Sequence, residues 1–168
     1  MTTWIVLLRA VNVGGTGKIA MAPLREALAK SGFPDVRSYI ASGNLVFTGP
    51  DDVEAVRAQL TAVITKAFGW CPDLILRTAD EIADVETRNP FPDAAGNQLL
   101  VIFTDEAPSI DGIRHQADEQ LAPGEREVFV HYPSGMGTSK MVVPAAKTGT
   151  GRNMNTVRKL AAMAADLA

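Results

Sequence analysis

The sequence predicts an α+β protein made of two similar halves, and three observations predict it. Apolar runs of strand length ("WIVLL", "NLVF", "LILR", "LLVIF", "VFVHY") recur between longer stretches of helical period. Turns rich in glycine, serine and asparagine separate them. The order strand, helix, strand, strand, helix, strand in the first 78 residues is then nearly repeated.

Residues 3–13 read as a strand, almost continuous in apolar residues as a strand buried on both faces is. "APLREALAKSGF" reads as a helix, with Pro23 in its first turn, Leu24 and Leu28 on one face and Gly32 as a left-handed stop. "VRSYIASGNLVFT" gives two strand-like runs parted by Ser42-Gly43-Asn44, a hairpin signal. "DDVEAVRAQLTAVITKAFGW" is a helix with Asp51 expected as cap and Glu54 three residues on. "DLILRT" completes the first half as a strand.

In the second half "TADEIADVETR" is a short helix opened by Thr78 with Glu81 in the capping-box position, ending before "NPFP". "NQLLVIFT" is a strand and "SIDGIRHQADEQL" an expected amphipathic helix capped by Ser109. "REVFVHY" is a strand, "SKMVV" a weaker strand or an irregular segment, and "NMNTVRKLAAMAADL" the closing helix. The pattern is the split βαβ of ferredoxin-like folds. It gives two tandem ferredoxin-like subdomains packed into one compact protein: 1–78 and 98–168, joined by a connecting helix and linker at 79–97.

With 168 residues, 46% apolar and 21% charged, the chain is long enough for a real core and too apolar for a disordered one. A single cysteine, Cys71, excludes an internal disulfide and fits a reducing compartment. No secretory signal is visible, and the first apolar run is too short to span a bilayer and is broken by Arg9. The expectation is a cytoplasmic protein without a membrane partner. The net charge of −3 hides an asymmetry. Residues 1–48 carry five Lys/Arg against two Asp/Glu, residues 49–127 six against sixteen, and residues 128–168 five against one. The glycine-rich ends are basic and the middle is acidic, which marks an electropositive site or simply a solvated acidic surface.

Three loops collect glycine, hydroxyl, amide and basic residues: "RAVNVGGTGK" (Arg9 to Lys18), "HYPSGMGTSK" (His131 to Lys140) and "KTGTGRNMNT" (Lys147 to Thr156). In a βαββαβ unit the first two strands run the same way, so the first loop faces the Ser42-Gly43-Asn44 hairpin beside a helix N-terminus. Unpaired N–H groups, a helix dipole and Lys18 there suit an anion. The loop is nonetheless not a Walker A loop, because Asn12 stands for its first glycine and Ile19 for its hydroxyl. Nor is it a dinucleotide fingerprint, because Ala20 stands for the third glycine. A plain strand-exit turn is the competing reading, and Asn153 is equally well explained as a helix cap. There is no G-x-S-x-G, H-E-x-x-H or C-x-x-C; His115 and His131 lack metal-ligand spacing, so no metal site is expected.

Taken together, "RAVNVGG", "SGNLVF" and "TGRNMNT" resemble the motifs R-G-[IV]-N-V-G-G, S-G-N-[VL]-V-F and T-x-R-N-W-x-T of the bacterial family called domain of unknown function 1697. The resemblance implies two ferredoxin-like subdomains and no established activity. It marks Arg9, Asn12, Gly14, Gly15, Lys18, Ser42, Gly43, Asn44, Ser139, Lys140, Arg152, Asn153 and Thr156. The chain departs from it at Ala10, where a glycine is usual, and at Met154, where a tryptophan is usual. A tryptophan that stacks on a ligand would be missed here; one that only packs the helix is easily replaced by methionine.

The expectation that follows is a protein holding a phosphorylated or otherwise anionic, nucleotide-like small ligand at its glycine-rich loops. Its reaction, if any, and its cofactor and oligomeric state are not legible. The alternatives are a structural or protein-interaction module without a small ligand, and a weak, non-specific nucleic-acid binder through the basic ends.

Overall fold

The computed structural model describes residues 1–15 and 17–167. It is an α+β structure with two four-stranded antiparallel sheets and four α-helices. The chain divides into one unit of Met1–Ile82 with Leu160–Ala168 and another of Ala83–Lys159.

The first unit contains β1 (Thr2–Leu8), α1 (Met21–Lys30), β2 (Arg37–Ser38), β3 (Asn44–Gly49), α2 (Val53–Phe68) and β4 (Leu74–Thr78). Its strand order is β2-β3-β1-β4. Trp4, Val6, Leu8, Leu45, Phe47, Leu74 and Leu76 turn one way and pack with Leu24 and Leu28 of α1 and Val56, Leu60 and Ile64 of α2. Ile5, Leu7, Val46 and Ile75 alternate to the other face and are buried too. Antiparallel sheets usually leave one face wet. Here both faces are covered, which is why β1 reads as an unbroken apolar run. α1 ends near Gly32 (φ 112°) as its sequence predicts, and α2 stops at Phe68, two residues short of its expected run, with Gly69 as a left-handed cap (φ 79°). The cap of α2 is Asp52, not Asp51: its Oδ1 accepts from the N–H groups of Glu54 and Ala55. Asp51 instead accepts from the Thr2 hydroxyl and pairs with the N-terminus, because it sits one residue too early to face the helix end.

α3 (Ala79–Thr87) carries the predicted capping box. Glu81 N–H donates to Thr78 Oγ1 at 3.1 Å, and Thr78 N–H donates to Glu81 Oε1 at 2.9 Å. The second sheet holds β5 (Leu99–Phe103), β6 (Gln120–Pro123), β7 (Glu127–His131) and β8 (Thr150–Asn153), in the order β6-β7-β5-β8. Counted from its own first strand, that is the order of the first sheet. The strands repeat, but among the described residues the crossover helices do not: 3-10 turns stand at Gly96–Gln98 and Pro144–Lys147, and the closing helix α4 (Met154–Leu167) follows β8 in the chain.

Two further expectations are corrected here, and one left open is decided. The helix expected over "SIDGIRHQADEQL" does not form. Gly112 and His115 both adopt left-handed backbone (φ 78° and 60°), Ile110 stays exposed, and Ser109 Oγ accepts from Asp111 N–H in a local turn. Gln120 and Leu121, the end of that segment, belong to β6, an edge strand closed by Pro123. "TGRN" is a strand although its glycine argues for a loop. "SKMVV" is irregular, with one isolated bridge between Arg114 and Val142.

Candidate functional site

β1 and β2 are both antiparallel to β3, so they run the same way and the loops after them emerge together. Leu8 N–H donates to Gly43 O at 2.9 Å, extending the ladder to the hairpin. Asn12 then ties the two loops. Its Nδ2 donates to Ile19 O (2.8 Å) and Ala41 O (2.7 Å), and its Oδ1 accepts from Ile19 N–H (2.9 Å). Its own N–H donates to Gly17 O at 2.9 Å. One carboxamide thus closes the glycine loop at its base and clasps the facing hairpin.

The hairpin is held in the same manner. Asn44 is fully buried, and its Nδ2 donates to Tyr39 O and Ser42 Oγ. Gly43 has φ 89°, and a Cβ there would lie 2.7 Å from Val11 Cγ2 and 2.9 Å from Leu8 Cβ. No other residue fits. Gly17 is similarly constrained, with φ 60° and a Cβ position 2.8 Å from Ala10 O.

Gly14 and Gly15 differ. Both are left-handed (φ 60° and 77°), both are exposed, and nothing lies within 4 Å of either Cβ position. Lys18 is exposed, with no hydrogen bond or ion pair among the described residues. Arg9 is half-buried and its N–H donates to Asp73 O. The backbone is also strained beside the glycines: Ala10 (φ 56°), Asn12 (φ 55°) and Ile40 (φ 51°) are left-handed without being glycine. Val13 and Ile40 remain 60% and 50% exposed.

Ser139, Lys140, Arg152, Asn153 and Thr156 belong to the second unit. Arg152 directly precedes the Asn153 that opens α4, and it is a buried residue of β8, paired in register with Val101. Its Nη1 donates to Thr150 Oγ1 (2.7 Å) and Gly151 O (2.9 Å), and burial lowers its pKa to about 10. Asn153 Oδ1 accepts from the N–H of the buried Thr156 at 2.9 Å, so it caps α4 as the competing reading had it. Met154 is fully buried, as a packing residue would be.

Ser139 Oγ donates to Glu119 Oε2 at 2.9 Å, beside a cleft of about 540 Å³ that Lys140, Asp118 and His115 also line. The Ala117 N–H, 2.6 Å from Glu119 Oε1, is the main cause that holds this carboxyl below its ordinary pKa. Glu119 carries no spacing signal in the sequence and only folding reveals it. Cys71 is partly buried against the first core, and burial raises its thiol pKa, so it is a packing residue. Among the described residues no group of His, Cys, Asp and Glu is arranged to hold a metal ion, and no helix is long and apolar enough to cross a membrane.

A family model described as a protein of unknown function (DUF1697) matches residues 1–129. The chain belongs to this family. The conserved bacterial protein SP0830 of Streptococcus pneumoniae has a similar solved structure, with a TM-score of 0.79 and 26% identity over 97% of this chain and 98% of that one. No curated protein matches the chain.

Proposed function

We propose that this family member binds a small anionic ligand of the phosphate-bearing, nucleotide-like class at the tip of the loop between β1 and α1. One observation carries the reading. Gly17 and Gly43 are forced to be glycine by their neighbours, whereas Gly14 and Gly15 face open space in left-handed backbone, beside an exposed lysine. Consecutive N–H groups in such conformations form concavities that take anions. Seven of the marked residues, all in the first unit, then divide into two sets. Asn12, Ser42, Gly43 and Asn44 build the frame, and Gly14, Gly15 and Lys18 meet the ligand. A cytoplasmic setting accords with the single cysteine.

A thermal-shift panel of pyrophosphate, nucleotides and sugar phosphates, with and without magnesium, tests it. At least one compound is expected to raise Tm in proportion to the logarithm of its concentration, and Lys18→Ala to abolish that rise. No rise with any compound at millimolar concentration, or an undiminished rise in Lys18→Ala, sinks the proposal.

The second reading, a structural or interaction module, is favoured by a different observation. Asn12, Asn44, Ser139 and Asn153 all turn their polar side chains inward to the protein's own groups. It predicts that variants at these positions lose stability and change no ligand response.

A further inference from the structure

The second unit contains a cleft of about 480 Å³ beside the Pro90–Asp93 turn, within the size range of small-molecule sites. One wall is built rigidly. Asn89 Oδ1 accepts from Phe91 N–H at 2.9 Å, Ala94 N–H donates to Phe91 O at 3.1 Å, and a proline on each side fixes the backbone. This holds the Phe91 ring half-buried at the cleft, with the His131 ring centroid 5.7 Å away and inclined by 38°.

The remaining lining is polar and short of charge. Gln98 is anchored through its backbone, which accepts from Tyr132 N–H at 2.8 Å and donates to Ala95 O at 2.9 Å. Its carboxamide has no hydrogen bond among the described residues, and Gln98 lines the cleft. Gln120 Oε1 lies 3.4 Å from His131 Nδ1. Each carboxamide offers two donors and an acceptor. Among the described residues no lysine or arginine lines the cleft, and Asp93 stands at it.

We propose that this cleft binds an uncharged planar heterocycle, a nucleobase or nucleoside, stacked on Phe91 with its polar edge toward Gln98 and Gln120. An aromatic face next to amide donors and acceptors matches a ring that is apolar on its faces and polar at its rim. The lack of cations and the presence of Asp93 select against a phosphate, so the site is separate from the glycine-loop proposal and stands without it.

The chain has only two histidines, which makes proton NMR of the full-length protein a direct test. The His115 and His131 ring signals are assigned by their loss in His115→Gln and His131→Gln. Titration with adenosine, guanosine, cytidine and uridine is expected to move the His131 signals saturably for at least one of them while those of His115 stay. Phe91→Leu keeps the apolar wall but removes the aromatic face, and is expected to weaken that affinity at least about fivefold. Gln98→Met, of similar shape without the amide, is expected to weaken it as well. If no nucleoside moves the His131 signals, or if both variants bind as the parent does, the proposal is overturned.

Discussion

At the scale of single residues, Asn12 and the left-handed positions around it do most to shape the loop. Asn12 supplies three side-chain hydrogen bonds that join residues 12, 19 and 41. With a net value of about 1 kcal/mol for each bond, Asn12→Ala is expected to cost roughly 2–3 kcal/mol in denaturant unfolding. Ala10 and Ile40 act in the opposite direction. A left-handed backbone costs an ordinary L-residue about 1–2 kcal/mol, and less for glycine or asparagine. Ala10→Gly and Ile40→Asn are therefore each expected to stabilise the protein by about 1 kcal/mol, seen as a higher midpoint with an unchanged denaturant slope. At this position a glycine would be unstrained, and the alanine here is a local strain.

At the scale of elements, the second unit rests on a buried charge. Glu127 of β7 is only 2% exposed; its Oε1 lies against Arg88 Nη1, and Arg88 Nε pairs with Asp84 Oδ2 at 2.7 Å. The link fastens the end of α3 to the second sheet. Removing one partner of a buried pair leaves the other charge desolvated, so Arg88→Ala is expected to cost about 3–5 kcal/mol. Glu127→Gln added to Arg88→Ala should recover part of that loss in a double-mutant cycle.

Which elements were legible follows from what each depends on. β1, α2, β4 and α3 announce themselves by apolar period, and α3 also by its capping box, all local properties. The segment at 109–121 has amphipathic helical spacing, and its fate was decided instead by the left-handed backbone at Gly112 and His115 and by the pairing of β6 with β7. β8 was hidden because Gly151 and Asn153 are poor strand residues. They form one because β5 offers an open edge. The facing of the two glycine loops was legible from topology. The clasp by Asn12, the burial of Arg152 and the Ser139–Glu119 bond were not, since each joins residues far apart in sequence or depends on what the fold packs around them.

At the scale of the whole molecule, charge sets the response to acid. A Lys30 hydrogen bond lowers the Glu26 carboxyl pKa, the Thr2 hydroxyl and the N-terminus lower that of Asp51, and the Ala117 N–H lowers that of Glu119. Each binds its proton less readily folded than unfolded. The stability they contribute is full above the unfolded value of 4.5 for a glutamate and is lost as pH falls through the lower folded values. Tm should therefore fall as pH drops from about 5 to 3, and less steeply in Glu119→Gln.

The same scale frames the binding proposal, because an anion must find one basic loop on a chain of net charge −3. Isothermal calorimetry on the parent and on Lys18→Ala, with the strongest anion from the thermal-shift panel, tests the division into frame and tip. The account predicts that Lys18→Ala unfolds at the parental Tm without ligand and binds at least about tenfold more weakly, the 1.4 kcal/mol of one charge-assisted contact. Equal dissociation constants for the two proteins, or a variant whose own Tm falls as Asn12→Ala is expected to make it fall, would contradict it.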